Sequence, residues 1–151
     1  MYGCSTNWAA YLMSLRAYRR ANPVTRGAPV PVDPTRDDVR RYMAEDSGGP
    51  VVMLNLLKYK PGGEESYRAY GRALQDYLPK IGAQVLYAGN CSTTLVAPEG
   101  WDWDALLIVR YPSRETFTDM VRDPEYRKVT HLRTEALTEA VLQATVPWIR
   151  E

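Results

Sequence analysis

Hydrophobic positions near the start of the chain recur at helical spacing. The first apolar stripe consists of Trp8, Tyr11, Leu12, Leu15 and Tyr18. This spacing predicts an amphipathic helix over about the first twenty residues. We expect its apolar stripe to pack on the rest of the chain or on a partner subunit.

A proline-rich stretch and a short second helix follow. Residues 22–34 contain four prolines without hydrophobic periodicity, which predicts an extended linker. Thr35 followed by Asp38 forms a capping-box pattern and predicts a helix start. The chain is therefore predicted to divide into an N-terminal helix with linker, residues 1–33, and one domain, residues 34–151.

From Pro50 the pattern changes to strands that alternate with helices. Residues 51–59 are apolar on both faces, apart from Asn55 and Lys58, which is typical of a buried strand. Asp123-Pro124 suits a helix N-cap and first turn better than a helix interior, so it divides the last helical stretch into two. The remaining pattern predicts a turn and helix within residues 61–82, a strand at 83–97, a strand at 104–111, helices at 113–122 and 124–137, and a strand at 138–147.

This order of elements predicts an α+β fold of the ferredoxin-like type, βαββαβ. Right-handed crossovers give an antiparallel sheet in the order 4-1-3-2, with the helices on one face. Because the central strands are apolar on both sides, the opposite face also needs a cover. A second copy that packs sheet against sheet provides one, so we expect a homodimer.

Composition and charge exclude several partners. The 151 residues carry 19 basic and 18 acidic side chains, a net charge of +1, and no block of like charge favours nucleic acid or a membrane surface. Cys4 and Cys91 fit neither a disulfide framework nor a metal-binding spacing. Because the early apolar run precedes its arginines and is short, we predict neither a signal peptide nor a membrane span. We expect a cytoplasmic protein that binds a small molecule and uses no metal or organic cofactor.

The predicted topology brings polar residues to one end of the sheet. Strands one and three are expected to be antiparallel neighbours, so Lys58 approaches Trp103 and Asp104. The helix after strand one begins at the same end, and so does strand four. The residues expected near this end are Lys58, Tyr67, Tyr70, Trp103, Asp104, His131 and Arg133.

Strand alternation separates the two polar residues of strand one. Asn55 shares a face with Met53 and Leu57, whereas Lys58 lies on the opposite face unless the strand bulges. An unpaired buried amide costs about 1–3 kcal/mol, so Asn55 needs a partner in the protein, in water or in a ligand. Lys58 lies near the strand end and is within reach of solvent or Asp104.

Each candidate residue also has a structural explanation. Asn55 is explained equally by backbone hydrogen bonds, and Lys58 with Asp104 by a surface ion pair. Tyr67 and Tyr70 lie on a buried stripe, and Trp103 suits an anchor at the sheet edge. His131 is the single histidine, a residue type suited to proton transfer, and it lies at the rim beside the apolar stripe.

Three segments of the chain carry a family resemblance: "GPVVMLNLLKYK", "YRAYGRAL" and "WDWDALLIVRYPSRETFTDMVRDPEYRKVTHLR". Together they resemble the domain of unknown function 1330 family, within the dimeric α/β barrel superfamily. The resemblance covers about residues 35–147 and implies a ferredoxin-like fold and a dimer. The superfamily includes cofactor-free monooxygenases, haem-degrading enzymes and isomerases. Asn55 and Trp103 are similar to site residues of some of its monooxygenases, whereas the late position of His131 argues against a haem ligand.

Two hypotheses follow from these observations. The first is a cofactor-free enzyme of the monooxygenase, isomerase or cyclase type, acting on a small cyclic or aromatic compound between helices and sheet. Its expected catalytic residues are His131, Asn55, Tyr67 and Lys58, and its expected substrate-binding residues are Trp103, Tyr70, Asp104 and Arg133. The second hypothesis is a non-catalytic dimeric module in which the same residues fill and cap a core.

Overall fold

A computed structural model describes residues 31–148 of the chain. The predicted first helix lies outside these residues. The elements in chain order are α1 (Arg36–Ala44), β1 (Val51–Tyr59), α2 (Gly63–Leu74), a 3₁₀ helix (Leu78–Ile81), β2 (Gln84–Asn90), β3 (Ala105–Tyr111), α3 (Arg114–Arg122), α4 (Pro124–Arg127), α5 (Thr130–Ala136) and β4 (Leu137–Thr145).

The four strands form one antiparallel sheet in the order β2-β3-β1-β4, which confirms the predicted order. β1 lies between β3 and β4, with Asn55 opposite Leu107 on one side and Leu142 on the other. The register between β1 and β4 shifts at Lys58 and Tyr59. Because this irregularity follows Lys58, it leaves Asn55 and Lys58 on opposite faces of the sheet.

The helix-facing side of the sheet carries the core. Met53 and Val109 belong to a large buried cluster with side chains of α2 and α3, and Leu57 belongs to a smaller one with Ala136 and Leu137. Asn55 lies between Met53 and Leu57 on the same face of β1. The core therefore divides into two clusters at the position of Asn55.

The short helix α1 is capped and anchored as its sequence indicates. The Thr35 hydroxyl accepts from Asp38 N at 3.2 Å and the Asp38 carboxylate accepts from Thr35 N at 3.0 Å, which confirms the predicted capping box. The guanidinium of Arg114, from α3, lies 4.7 Å from the centre of the Tyr42 ring and also donates to the Tyr42 carbonyl. The helix is thus held through its backbone and its aromatic side chain.

Three predicted element boundaries were wrong. The helix within residues 61–82 ends at Leu74 and resumes as the 3₁₀ helix, because Pro79 has no amide hydrogen for a continuous helix. The second strand ends at Asn90, opposite Ala105 at the start of β3, so the following residues have no strand to pair with. The last helix is interrupted at Val129, whose φ of −114° and ψ of −12° depart from helical values.

Candidate functional site

Lys58 is held by acidic groups at the end of β1. Its ammonium lies 2.8 Å from Asp102 Oδ2 and 3.7 Å from Asp104 Oδ1, and it also donates to the Asp102 carbonyl at 2.6 Å. The hydrogen bond that Lys58 donates to the Asp102 carboxylate raises the pKa of Lys58 above its ordinary value. The expected approach to Asp104 is present, but sequence reasoning missed Asp102 because it lies in a loop without periodicity. The paired ammonium stays charged and is poorly suited to act as a base.

Asp104 joins the ends of β1 and β3. Its carboxylate accepts from Tyr59 N at 2.7 Å, and its own amide donates to the Leu57 carbonyl at 2.8 Å. Trp103 is half-buried and meets Trp101 edge to face, with ring centres 6.2 Å apart. These contacts hold the loop before β3 against the end of β1. None of them joins Asp104 or Trp103 to Asn55.

Asn55 lies in mid-strand on the helix-facing side and is only partly buried. Its Nδ2 donates to the Met53 carbonyl over a long 3.3 Å, the one hydrogen bond of its side chain to residues 31–148. The side-chain carbonyl accepts no hydrogen bond from these residues. This oxygen is therefore available to water or to a ligand.

Tyrosine rings form a continuous row beside this position. Tyr67 from α2 lies 5.7 Å from Tyr59 and 5.5 Å from Tyr70, measured between ring centres. Tyr70 meets Tyr126 of α4 at 6.3 Å, and their hydroxyls share a hydrogen bond of 2.9 Å. Sequence reasoning missed Tyr126. The available signal was its position in the first turn of the helix that begins at Pro124, because a helix start fixes the direction of the side chains in its first turn.

The hydroxyls of Tyr67 and Tyr70 differ in what they bond. Burial raises the pKa of both above the ordinary value, and the nearby Arg133 charge opposes this effect. Tyr70 is committed to Tyr126, whereas the Tyr67 hydroxyl has no hydrogen-bond partner in the described part of the chain. At neutral pH Tyr67 is protonated, so it is a hydrogen-bond donor and not a base.

Arg133 and His131 lie on the same short helix but in different surroundings. The Arg133 side chain is 9% exposed, and its Nη1 donates to Val32 O at 2.9 Å and to Asp33 Oδ1 at 2.8 Å. His131 is exposed. The structure thus brings Arg133 towards the tyrosines and leaves His131 on the surface.

The surface of residues 31–148 includes two open cavities of appreciable volume. One, of about 450 Å³, is lined by residues of α2, the 3₁₀ helix and the start of β2. The other, of about 610 Å³, is lined by Lys58, Tyr59, Asp104 and Cys91, among others. Neither is lined by Asn55 or Tyr67, because tyrosine rings pack between α2 and the sheet.

Residues 31–148 contain neither a cluster of metal ligands nor a membrane-spanning helix. These residues contain no group of three or more His, Cys, Asp or Glu side chains placed to hold a metal ion. No helix among them has the length and apolar character needed to cross a membrane.

The order of strands and helices and the antiparallel sheet β2-β3-β1-β4 place this chain in the class of ferredoxin-like α+β proteins. Residues 56–145 match the model of DUF1330, a domain of unknown function, and the chain belongs to this family. The search of curated proteins found no match.

Solved structures support this assignment. The RPA0582 protein of unknown function from Rhodopseudomonas palustris is 32% identical, with a TM-score of 0.73 over 80% of this chain and 99% of that chain. The methylated RPA0582 protein is 31% identical, with a TM-score of 0.74 over 81% and 98% of the two chains. A dimeric ferredoxin-like protein of unknown function from Jannaschia sp. CCS1, 7% identical, has a TM-score of 0.52 over 66% of this chain and 100% of that chain. This last likeness concerns the fold alone.

Proposed function

We propose that this protein is a cytoplasmic, homodimeric enzyme that acts on a small cyclic or aromatic molecule without a metal or organic cofactor. The observation that carries the proposal is Asn55, a partly buried amide in mid-strand whose carbonyl has no partner among residues 31–148. Its carbonyl oxygen is not a fully buried atom, so it is open to solvent or to a ligand in the middle of the sheet. Asn55 interrupts the core where Tyr67 packs against both clusters.

The proposed site lies between α2, α5 and the sheet. Asn55 orients a polar group of the substrate, and Tyr67 donates a hydrogen bond or a proton to an oxygen that gains negative charge. Tyr70 forms an aromatic wall, and Arg133 supplies positive charge. Entry of a ligand requires the Tyr67 ring to move, since Tyr67 contacts both Tyr59 and Tyr70. The candidate reactions are oxygenation of an electron-rich ring by O2, in which the substrate supplies the electrons that reduce the second oxygen atom to water, and isomerisation or cyclisation. In each of them these donors would stabilise negative charge that develops on a substrate oxygen.

Incubation with substituted phenols and quinones, followed by product analysis, tests the site. We expect Tyr67→Phe to lower kcat by about a hundredfold if its hydroxyl transfers a proton, and Asn55→Ala to lower turnover as well. Tyr87→Phe is the matched control, because it removes a hydroxyl from a tyrosine that is 51% exposed on β2. Equal turnover in Tyr67→Phe, Asn55→Ala and the control would refute the site.

The same assay examines the other sequence-based roles. His131→Ala tests proton transfer by the histidine, and loss of turnover in this variant alone would move the site to the surface of α5. Lys58→Gln tests the ammonium held by Asp102 and Asp104. We expect turnover to depend less on His131 and Lys58 than on Asn55 and Tyr67. His131 is exposed, and Lys58 lies on the opposite face of β1 from Asn55.

A homodimer is supported by the outer face of the sheet. Apolar side chains on all three neighbouring strands share this face, as their register requires: Leu54, Leu56, Leu106, Ile108 and Val141. Leu54 lies opposite Ile108, and Leu56 lies opposite both Leu106 and Val141. A continuous apolar sheet face needs a cover, and a second copy provides one of matching shape.

Leu54→Glu is expected to convert the dimer to a monomer, because a carboxylate on the apolar face would be buried without a partner. Sedimentation velocity or light scattering measures the mass. Ala73→Glu, which places the same charge on the exposed side of α2, is the control and should stay dimeric. A monomeric unsubstituted chain, or equal masses for both variants, would contradict the proposed dimer.

A second candidate is a non-catalytic dimeric binding or interaction module. The packed tyrosine row favours it, because the Tyr70–Tyr126 hydrogen bond and the ring contacts already consume much of the space between helices and sheet. Ligand binding without turnover of any phenol or quinone would support this candidate. A hemin absorbance titration addresses the haem-binding alternative.

A further inference from the structure

Arg133 is a buried guanidinium that uses only part of its hydrogen-bonding capacity. Both of its hydrogen bonds start at Nη1, to Val32 O and Asp33 Oδ1. Nε and Nη2 have no partner among residues 31–148, although the side chain is 9% exposed. A guanidinium has five donors, and neither Nε nor Nη2 is a fully buried atom, so this edge of Arg133 stays open to solvent or to a ligand. This arrangement indicates room for another acceptor.

The guanidinium lies at the end of the sheet where Tyr67 packs. Val32, whose carbonyl it binds, contacts the buried cluster around Leu57, and Tyr59 and Tyr67 contact the same cluster. The charge also acts on the phenols, since Arg133 works against the burial that raises the pKa of Tyr67 and Tyr70. Arg133 is therefore a cation whose charge acts on both Tyr67 and Tyr70.

The carboxylate partner of Arg133 comes from outside the ferredoxin-like core. Asp33 precedes α1 and its side chain is 53% exposed; its Oδ1 accepts from Arg133 and its Oδ2 accepts from Thr134 at 3.3 Å. Among the described residues it is the one acid that pairs with Arg133. The protein thus already places a carboxylate against this guanidinium, and only on the Nη1 side.

We infer that the ligand of the proposed site is a carboxylic acid, held by the Nε and Nη2 edge of Arg133 with its ring against Tyr67. This inference rests on the proposed site. A planar carboxylate matches two parallel N–H donors of a guanidinium. A dianionic phosphate fits less well, because Asp33 already places one negative charge beside this guanidinium. Asp33 then sets the affinity, since its charge repels the bound acid.

A purely structural role for Arg133 predicts a different pattern. If the Arg133–Asp33 pair only anchors the segment before α1, its removal affects any ligand of the site equally, whatever the ligand's charge. A pair of probes that differ only in charge separates the two roles. Benzoate and benzamide form one such pair, and cyclohexanecarboxylate and its amide form another.

Dissociation constants for both probe pairs, measured on the full chain at fixed ionic strength by calorimetry or ligand-observed NMR, test the inference. We expect benzoate to bind the unsubstituted chain at least about tenfold more tightly than benzamide. Arg133→Gln should abolish the preference for benzoate. Arg133→Lys, which keeps the positive charge but not the two parallel N–H donors, should retain part of this preference. Asp33→Asn should tighten benzoate by about two- to fivefold and leave benzamide unchanged.

Arg127→Gln, which removes an exposed arginine from α4, is the control and should leave both probes unchanged. Equal binding of acid and amide by the unsubstituted chain would overturn the carboxylate inference while leaving the site itself in place. If no probe of either pair binds, both the inference and the proposed site fail. Equal weakening of acid and amide in Arg133→Lys and Asp33→Asn would establish the anchoring role instead.

Discussion

Gly63→Ala is expected to lower the free energy of unfolding by about 3 kcal/mol or more, because the new methyl group has no space. A Cβ at this position would lie 2.9 Å from the carbonyl carbon and 3.1 Å from the Cα of Ala136, and nearer still to the carbonyl oxygen. These are backbone atoms at the end of α5, where Ala136 is fully buried and its carbonyl accepts from Lys60 N at 2.9 Å. Neither helix is free to shift without loss of this bond.

The matched control for this change is Gly71→Ala on the same helix. A Cβ at Gly71 meets nothing within 4 Å, so alanine should stabilise the protein by about 0.5–1 kcal/mol through its helix propensity. Urea denaturation of the two variants and the unsubstituted chain measures both effects. Equal or greater stability of Gly63→Ala would show that α2 does not approach the backbone of Ala136 this closely.

The second large effect is a steep loss of stability at alkaline pH. Burial raises the pKa of Tyr67, Tyr70 and Tyr111 in the folded protein. In the unfolded chain these groups ionise near pH 10. Below that pH both states are protonated and the stabilisation is fully present, whereas above it only the unfolded state loses protons. The free energy of unfolding then falls by up to about 1.4 kcal/mol per pH unit for each tyrosine, or about 4 kcal/mol for three.

Urea denaturation from about pH 9 to about pH 11, with tyrosinate absorbance followed in parallel, measures this loss. Tyr111→Phe removes one buried phenol and should reduce the slope by up to about 1.4 kcal/mol per pH unit, the share of a single tyrosine. Tyr87→Phe, the exposed tyrosine, is the control for removal of a hydroxyl. If Tyr111→Phe and Tyr87→Phe show the same slope as the unsubstituted chain, ionisation of the buried tyrosines does not govern alkaline unfolding.

The local features of the fold were predictable because their causes are local. The capping box of Thr35 and Asp38 and the helix start at Asp123-Pro124 are properties of neighbouring residues. The end of β2 at Asn90 was not predictable, since a strand ends where its partner ends and that partner begins at Ala105. Residues 91–97, which follow Asn90, still have the composition of a strand, so the sequence gives no sign that β2 ends there.

The candidate site shows the same division. Placement of Asn55 and Lys58 on opposite faces of β1 follows from the alternation of side chains along a strand, so it was confirmed. The partners of the site residues were not predictable in the same way. Lys58 pairs with Asp102 as well as Asp104, and Tyr70 pairs with Tyr126, because loop paths and helix packing select among several acids and aromatic rings close in sequence.

The sequence by itself therefore determined the strand order and the residue that interrupts the core, since hydrophobic periodicity and right-handed connections suffice for both. Only the tertiary structure decided which polar groups around Asn55 remain available. Arg133 meets Val32 and Asp33, about a hundred residues earlier in the chain, through bonds that no local pattern encodes. Such contacts depend on how α5 and the segment before α1 pack on one sheet end, which is a property of the folded chain as a whole.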